Sequence, residues 1–395
     1  MTKPELLSPA GDWVSLRAAI GAGADAVYFG VKELNMRANA KNFELGELKK
    51  TVKTCHENNV RAYLALNTIV YENELKKTEK ILKRAKEAGI DAIICWDLSV
   101  LKLCRMLKLR IHLSTQASVS NYPAAEYYCR KFGVKRIVLA RESTLDDIKK
   151  IIKRIRKNKL GLQIETFVHG AMCVSISGRC FLSQFAFNKS ANRGQCLQPC
   201  RRKYLIRDIE EKHEFELGEY YVMSPEDLCT IEFIEQLKRA GINAFKIEGR
   251  NRPPEYVKAV TECYRRAIDE GYDRSLLLRL KAVYNRGFSS GFFLGKPADA
   301  WSRAYGSKAA KKKEYIGKVV NYYRKQKAAE IKIETGRLAL GDTIMFQGNT
   351  TGVVEQKITS MQNERRSIGK AEKGMCAAVR ASRVRKNDRV YLIIS

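Results

Sequence analysis

Over roughly the first 250 residues, short apolar runs alternate with longer segments of mixed polarity. The apolar runs are ELLSP, DAVYFG, VRAYLALN, DAIICWD, RIHLST, RIVLAR, LQIETFVHG and AFKIEGR. They are too short for helices and read as buried strands. Between most of them lie segments such as ELGELKKTVKTCHENN, ENELKKTEKILKRAKEAG and TLDDIKKIIKRIRKN, whose apolar residues recur every three or four positions. That period gives a helix one apolar stripe to bury. Four joints repeat a phrase, GAGADAVYFG, EAGIDAIICWD, KFGVKRIVLAR and RAGINAFKIEGR, in which a glycine closes a helix and a strand begins shortly after. Eight strands alternating with helices predict an α/β fold, a (β/α)8 TIM-like barrel over residues 1–270. An open doubly wound sheet, which usually stops near about five to seven strands, is the competing architecture.

Beyond the last strand, PPEYVKAVTECYRRAIDEGY reads as the closing barrel helix, its start marked by prolines. Residues 271–311 form a helical and loop connector. From about residue 312 the texture changes to short strands (YIGKVVNYY, AAEIKIE, DTIMFQG, GVVEQKI, MCAAVRA, RVYLII) separated by turn residues, which predicts a small antiparallel β-barrel over 312–395.

In a (β/α)8 barrel chemistry gathers at the C-terminal ends of the strands. The residues standing there are Ser8, Asn35 and Arg37, Asn67, Asp97, Gln116, Arg141 with Glu142, Glu165 with His169, and Glu248 with Arg250. Singly, each is as well explained as a helix cap or a loop hydrogen bond. Together they describe a lined pocket. Arg37, Asn67, Gln116 and Arg141 are candidates for substrate binding, and Glu165, His169, Glu248 and Arg250 for catalysis. Arginine forks suit carboxylates and phosphates because they bond both oxygens at once.

Charge adds a partner class. The chain carries 73 Lys and Arg against 43 Asp and Glu, a net +30. Such an excess attracts polyanions, RNA or the ribosome foremost. Residues 301–395 alone hold 21 basic against 8 acidic residues, which makes the small domain a candidate handle for nucleic acid. MTKPELLSPAGDW lacks the apolar core of a signal peptide, and no run approaches the ~20 apolar residues of a membrane span, so a cytoplasmic protein without membrane contact is expected.

In a reducing compartment, eleven cysteines do not make a disulfide framework. Four of them crowd the insert at 169–205: Cys173 and Cys180 with six residues between them, then fifteen residues, then Cys196 and Cys200 with three between them. Structural zinc favours paired short knuckles, and only one half here fits. An iron–sulfur cluster accepts irregular spacing, since its thiolates need only meet around a cube. Spacing alone leaves iron–sulfur, zinc and unligated thiols open. Cys229, in SPEDLCTIEF, is an alternative to Cys200 as fourth ligand, whereas Cys55, Cys95, Cys104, Cys129 and Cys263 read as small buried hydrophobes.

The segments ELLSPAGDWVSLRAAIGAGADAVYFG, STQASVSN, ETFVHGAMCVSISGRCFLS, RGQCLQPCRRKY, SPEDLC, FKIEGRNRPPEYV and NRGFSSGFFLGK resemble, in order and nearly end to end, the peptidase U32 family. That family includes tRNA uridine, ribosomal RNA cytidine and ubiquinone hydroxylation proteins. The resemblance implies a 4Fe-4S cluster on Cys173, Cys180, Cys196 and Cys200, and hydroxylation of a pyrimidine in tRNA or rRNA with prephenate, a dicarboxylate, as oxygen donor. The family name implies a collagenase-like protease instead. For that chemistry the chain offers only His56, His112, His169 and His213, of which His169 beside Cys173 is the one candidate pair. A noncatalytic RNA- or ribosome-binding protein with a structural metal is the third reading.

Overall fold

The computed structural model of the chain describes residues 3–202, 204–207, 210, 214–217, 223–295, 300–302, 306–364 and 366–394; His213 lies outside them. The eight apolar runs form eight parallel strands: β1 (Glu5–Pro9), β2 (Ala26–Phe29), β3 (Arg61–Ala65), β4 (Ala92–Cys95), β5 (Ile111–Leu113), β6 (Arg136–Val138), β7 (Gln163–Gly170) and, after an insert, β11 (Ala244–Ile247). Each pairs with the next, and β11 pairs with both β7 and β1, which closes the ring. The insert contributes a hairpin, β8 (Tyr204–Arg207) with β9 (Glu214–Leu217), and β10 (Asp227–Cys229), which runs antiparallel to the end of β7.

Helices α1 (Trp13–Gly21), α2 (Leu48–His56), α3 (Leu75–Glu87), α4 (Leu98–Met106), α5 (Tyr122–Phe132) and α6 (Leu145–Lys157) connect successive strands. A short α7 (Leu182–Phe187) lies in the insert, α8 (Ile234–Ala240) precedes β11, and α9 (Pro254–Glu270) and α10 (Arg274–Ala282) follow it. α6 shows why the sequence takes this form. Ile148, Ile151, Ile152 and Ile155 make its buried stripe, while Thr144 and Asp147 cap its start reciprocally. The repeated glycines act as expected at two joints, where Gly133 and Gly241 end α5 and α8 with φ of 70° and 86°.

The barrel interior is ionic on one level. Arg136 Nη1 lies 2.6 Å from Glu5 Oε1 and 3.3 Å from Glu165 Oε2, and Lys246 Nζ lies 3.0 Å from Glu165 Oε1. The Tyr63 hydroxyl donates to Glu5 at 3.0 Å. This corrects the expectation that Glu165 stands at the mouth. β7 continues to Gly170, so Glu165 points inward one level below Phe167 and is 0% exposed. It is a structural counter-ion inside the wall.

After β12 (Phe288–Ser289), strands β13 (Lys312–Tyr323), β14 (Ala328–Ile333), β15 (Arg337–Ala339), β16 (Thr343–Gly348), β17 (Gly352–Lys357), β18 (Met361–Asn363), β19 (Arg366–Ser367), β20 (Lys370–Glu372), β21 (Cys376–Arg380) and β22 (Arg389–Ile394) build antiparallel sheets. Their own core includes Val319, Ile331, Phe346, Val379 and Val390. Met345 and Val353 pack on Ala18 of α1, and Lys313 pairs with Glu255 of α9 at 2.8 Å. Among the described residues no helix is long and apolar enough to cross a membrane.

Candidate functional site

The C-terminal ends of the strands surround a narrow cavity with about 40 Å³ of open space. Arg37, Asn67, Gln116, Arg141, Glu248 and Arg250 all line it, joined by Tyr28, Ser114, Phe167 and Lys246. The loop after β2 aims Arg37 into the mouth: Asn35 accepts from Arg37 N at 2.9 Å, and Asn67 accepts from Met36 N at 3.2 Å. The Asn67 amide donates to Ser114 and to Gln116 Oε1, both at 3.4 Å, so one polar chain spans β3 to β5. Gly170 lets β7 pass the last strand closely. Its φ is 107°, and a Cβ there would fall 2.5 Å from the Glu248 carbonyl oxygen.

Glu248 is the one carboxylate among these lining residues. Arg37 holds its Oε1 through Nε at 3.2 Å and Nη2 at 3.0 Å, and Arg141 Nη2 approaches Oε2 at 3.9 Å. Burial alone would raise the Glu248 pKa, but Arg37, Arg141 and Arg250 outweigh it and hold it at about 2. At neutral pH Glu248 is therefore an ion that accepts hydrogen bonds and has no proton to give. Arg141 also donates to Ala171 O at 2.9 Å and stacks 4.2 Å over Phe167. Arg250 is 5% exposed, its Nη1, like Arg141 Nε, has no hydrogen-bond partner, and burial brings its pKa down to about 10. A buried, unsatisfied guanidinium nitrogen costs stability, and this one packs so closely on Gly30 that a Cβ there would fall 2.5 Å from it.

The cysteine insert is fastened beside this mouth. Glu142 accepts from Ser177 N at 2.7 Å and from Ser177 Oγ at 3.0 Å, and Arg201 donates to Ser224 Oγ at 2.8 Å and Pro225 O at 2.9 Å. Gly194 lets the insert touch the Arg37 loop. Its φ is 83°, and a Cβ there would lie 2.2 Å from Asn35 O.

All four thiols are free and partly buried. Three sulfurs have short polar neighbours: Ser175 Oγ at 2.9 Å from Cys173, Leu182 N at 3.3 Å from Cys180, and Gln198 N at 3.4 Å from Cys196. Burial pushes the Cys200 thiol up to about 11; Arg201 lowers it, and Cys173, Cys196 and Cys180 raise it further. Cys196 is likewise raised, by burial first and by Cys173 and Cys180, against lowering by the Gln198 N–H and Arg37. The four thiols thus lie within electrostatic reach of one another and of the arginine mouth.

Among the described residues no three His, Cys, Asp or Glu side chains gather closely enough to hold a single ion. A cubane bonds each thiolate to a different iron, so it needs them farther apart than the ligands of one ion. Four soft donors, three of them with an N–H or O–H group at the sulfur, fit such a cluster in chemistry.

Other expected residues stand elsewhere. Ser8 Oγ lies 2.7 Å from Thr261 Oγ1 of α9, outside the barrel wall, and Asp97 caps α4. Cys229 is buried against Tyr264, with burial pushing its thiol up to about 12, and the groups that bear on it include Glu232 and Cys263 but none of the four insert thiols. His169, the last residue but one of β7, does not line the cavity. The shift in register between Lys246 and Ile247 turns it into a sleeve of Tyr256, Tyr264 and Phe288. Burial, aided by Arg252, lowers its pKa to about 3, which makes it a weak base.

A measurable consequence follows from that shift. The unfolded chain protonates His169 near its usual ~6.5 and the folded chain does not, so the stability it contributes is full above about pH 6.5 and falls as pH drops toward 3. Urea midpoints measured from pH 7 to 5 should decline with a slope that His169→Gln makes shallower.

The sequence model of Peptidase family U32 matches residues 11–303. An uncharacterized protease of Methanocaldococcus jannaschii is 46% identical over 100% of this chain and 99% of its own length. A collagenase of Porphyromonas gingivalis is 40% identical over 98% and 97%. The tRNA hydroxylation protein P1 of Bacillus subtilis is 35% identical over 81% of this chain and 78% of its own.

Proposed function

The chain belongs to peptidase family U32, and from that premise we propose that it hydroxylates C5 of a pyrimidine in tRNA or rRNA, using a 4Fe-4S cluster and a dicarboxylate such as prephenate as oxygen donor. Arg250 is the observation that carries this reading. A buried guanidinium nitrogen without a partner, on an arginine that lines the mouth together with Arg37 and Arg141, calls for an anionic ligand, in a family some of whose members bear the name tRNA hydroxylation protein. Cys173, Cys180, Cys196 and Cys200 would hold the cluster, which supplies redox chemistry when bound.

In this reading Arg37 and Arg250 take the carboxylates and Glu248 keeps the empty arginines apart. Asn67, Ser114 and Gln116 orient a polar edge. Tyr28 and Phe167 exclude water. The net +30 draws the RNA to the mouth. Lys246, Tyr28, Ser114 and Phe167 belong to this lining without having been expected there.

Proteolysis is the second reading, favoured by the names of the two relatives cited first. His169, walled by aromatic rings and made a weak base by burial, is poorly suited to activate Cys173 on this reading. Anaerobic purification separates the two. About four irons per chain and uncleaved gelatin support the hydroxylase, whereas colourless protein that cleaves gelatin supports the protease.

A further inference from the structure

Two phenyl rings of the cysteine insert face water. Phe185 is 86% exposed and Phe181 is 65% exposed, and their centroids are 6.3 Å apart at an interplanar angle of 56°. Phe185 buries almost nothing and Phe181 only a minor part of its surface, so neither ring contributes much to the fold. Phe181 directly follows Cys180, so the pair belongs to the insert fastened beside the mouth. What surrounds the rings selects the occupant. Residues 171–202 contain five Lys or Arg and no Asp or Glu. Arg202 stacks 4.7 Å over Phe187, and Arg179 lies 5.8 Å over Trp96 on the rim. Carboxylates reach the segment only from outside it, where Glu74 pairs with Arg193 and Glu142 holds Ser177, and its apolar rings interleaved with cations match a nucleobase with its phosphates, which offers a flat π-face and negative charge together.

We infer that Phe181 and Phe185 form a stacking platform for an unpaired base of the RNA, next to the base that enters the mouth. The inference rests on the RNA reading above and adds where a flanking nucleotide is gripped. Base–ring stacking is sequence-tolerant, so the platform serves affinity and positioning and leaves base identity to the cavity.

The test uses full-length, anaerobically purified protein and a fluorescein-labelled single-stranded oligouridylate, with anisotropy measured at several salt concentrations. Phe181→Leu/Phe185→Leu keeps apolar area and removes the flat rings. It should bind about tenfold or more weakly with an unchanged salt slope, while Phe185→Trp binds as well as the parent. A double leucine variant with parental affinity overturns the platform and leaves the RNA reading standing. So does a lost affinity accompanied by a reduced salt slope, which would show displaced cations. A parent protein whose binding does not weaken with salt overturns the RNA reading itself, and the platform with it.

Discussion

Replacing Arg250 with methionine is expected to raise the stability of the protein, or leave it unchanged, while lowering hydroxylation by about tenfold to a hundredfold. The two signs come from one fact. The guanidinium is buried with an unsatisfied nitrogen and Arg37 repels it, so the attraction of Glu248 only partly offsets its desolvation cost in the folded state. Methionine fits the same volume and removes that cost. A ligand carboxylate placed there would make charge-assisted hydrogen bonds worth roughly 1.5–3 kcal/mol, which sets the loss in rate. The effect should fall on KM for the anionic donor, tried first with prephenate, more than on kcat. Arg250→Lys keeps the charge and should recover part of the loss. A residue with a purely structural role would behave in the opposite way, with Arg250→Met unfolding at lower urea and the KM unmoved.

The second large effect lies deeper. Glu165→Ala should cost about 3–5 kcal/mol, because it strands the Lys246 ammonium and takes one of two carboxylates from Arg136 inside a dry barrel. Removing the charge on both sides, as Glu165→Met/Lys246→Met, should recover most of that loss, since a buried pair seldom outperforms well-packed apolar groups. Urea unfolding reads both, through midpoints compared at equal slope. A Glu165→Ala protein as stable as the parent would mean that water reaches the barrel interior and solvates the lysine. Because Lys246 also lines the cavity, the double variant should recover stability without recovering activity.

The ring of eight strands was legible because parallel strands buried on both faces leave continuous apolar runs, and the glycine joints repeat between them. Six polar residues of the mouth, Arg37, Asn67, Gln116, Arg141, Glu248 and Arg250, could be placed for the same reason: each stands just past the end of such a run. The failures have a common cause, which is that a run of letters does not say where a strand stops or which face each residue takes. β7 is longer than its neighbours, so Glu165 sinks one level into the interior; a register shift beside Ile247 turns His169 away. Lys246 carried a signal in AFKIEGR, where a lysine within an apolar strand can only be inward and paired. The partner was Glu165, read separately as a catalytic acid. Cys229 shared a cysteine's letter with the insert, but its strand β10 pairs antiparallel with β7 and packs it on α9.

Mass spectrometry of nucleosides from tRNA and rRNA tests the central claim most directly, in a strain lacking the gene and in the same strain carrying the parent or Cys180→Ala protein. A 5-hydroxylated pyrimidine should vanish with the gene, return with the parent and stay absent with Cys180→Ala. RNA of unchanged composition across all three strains would contradict the account.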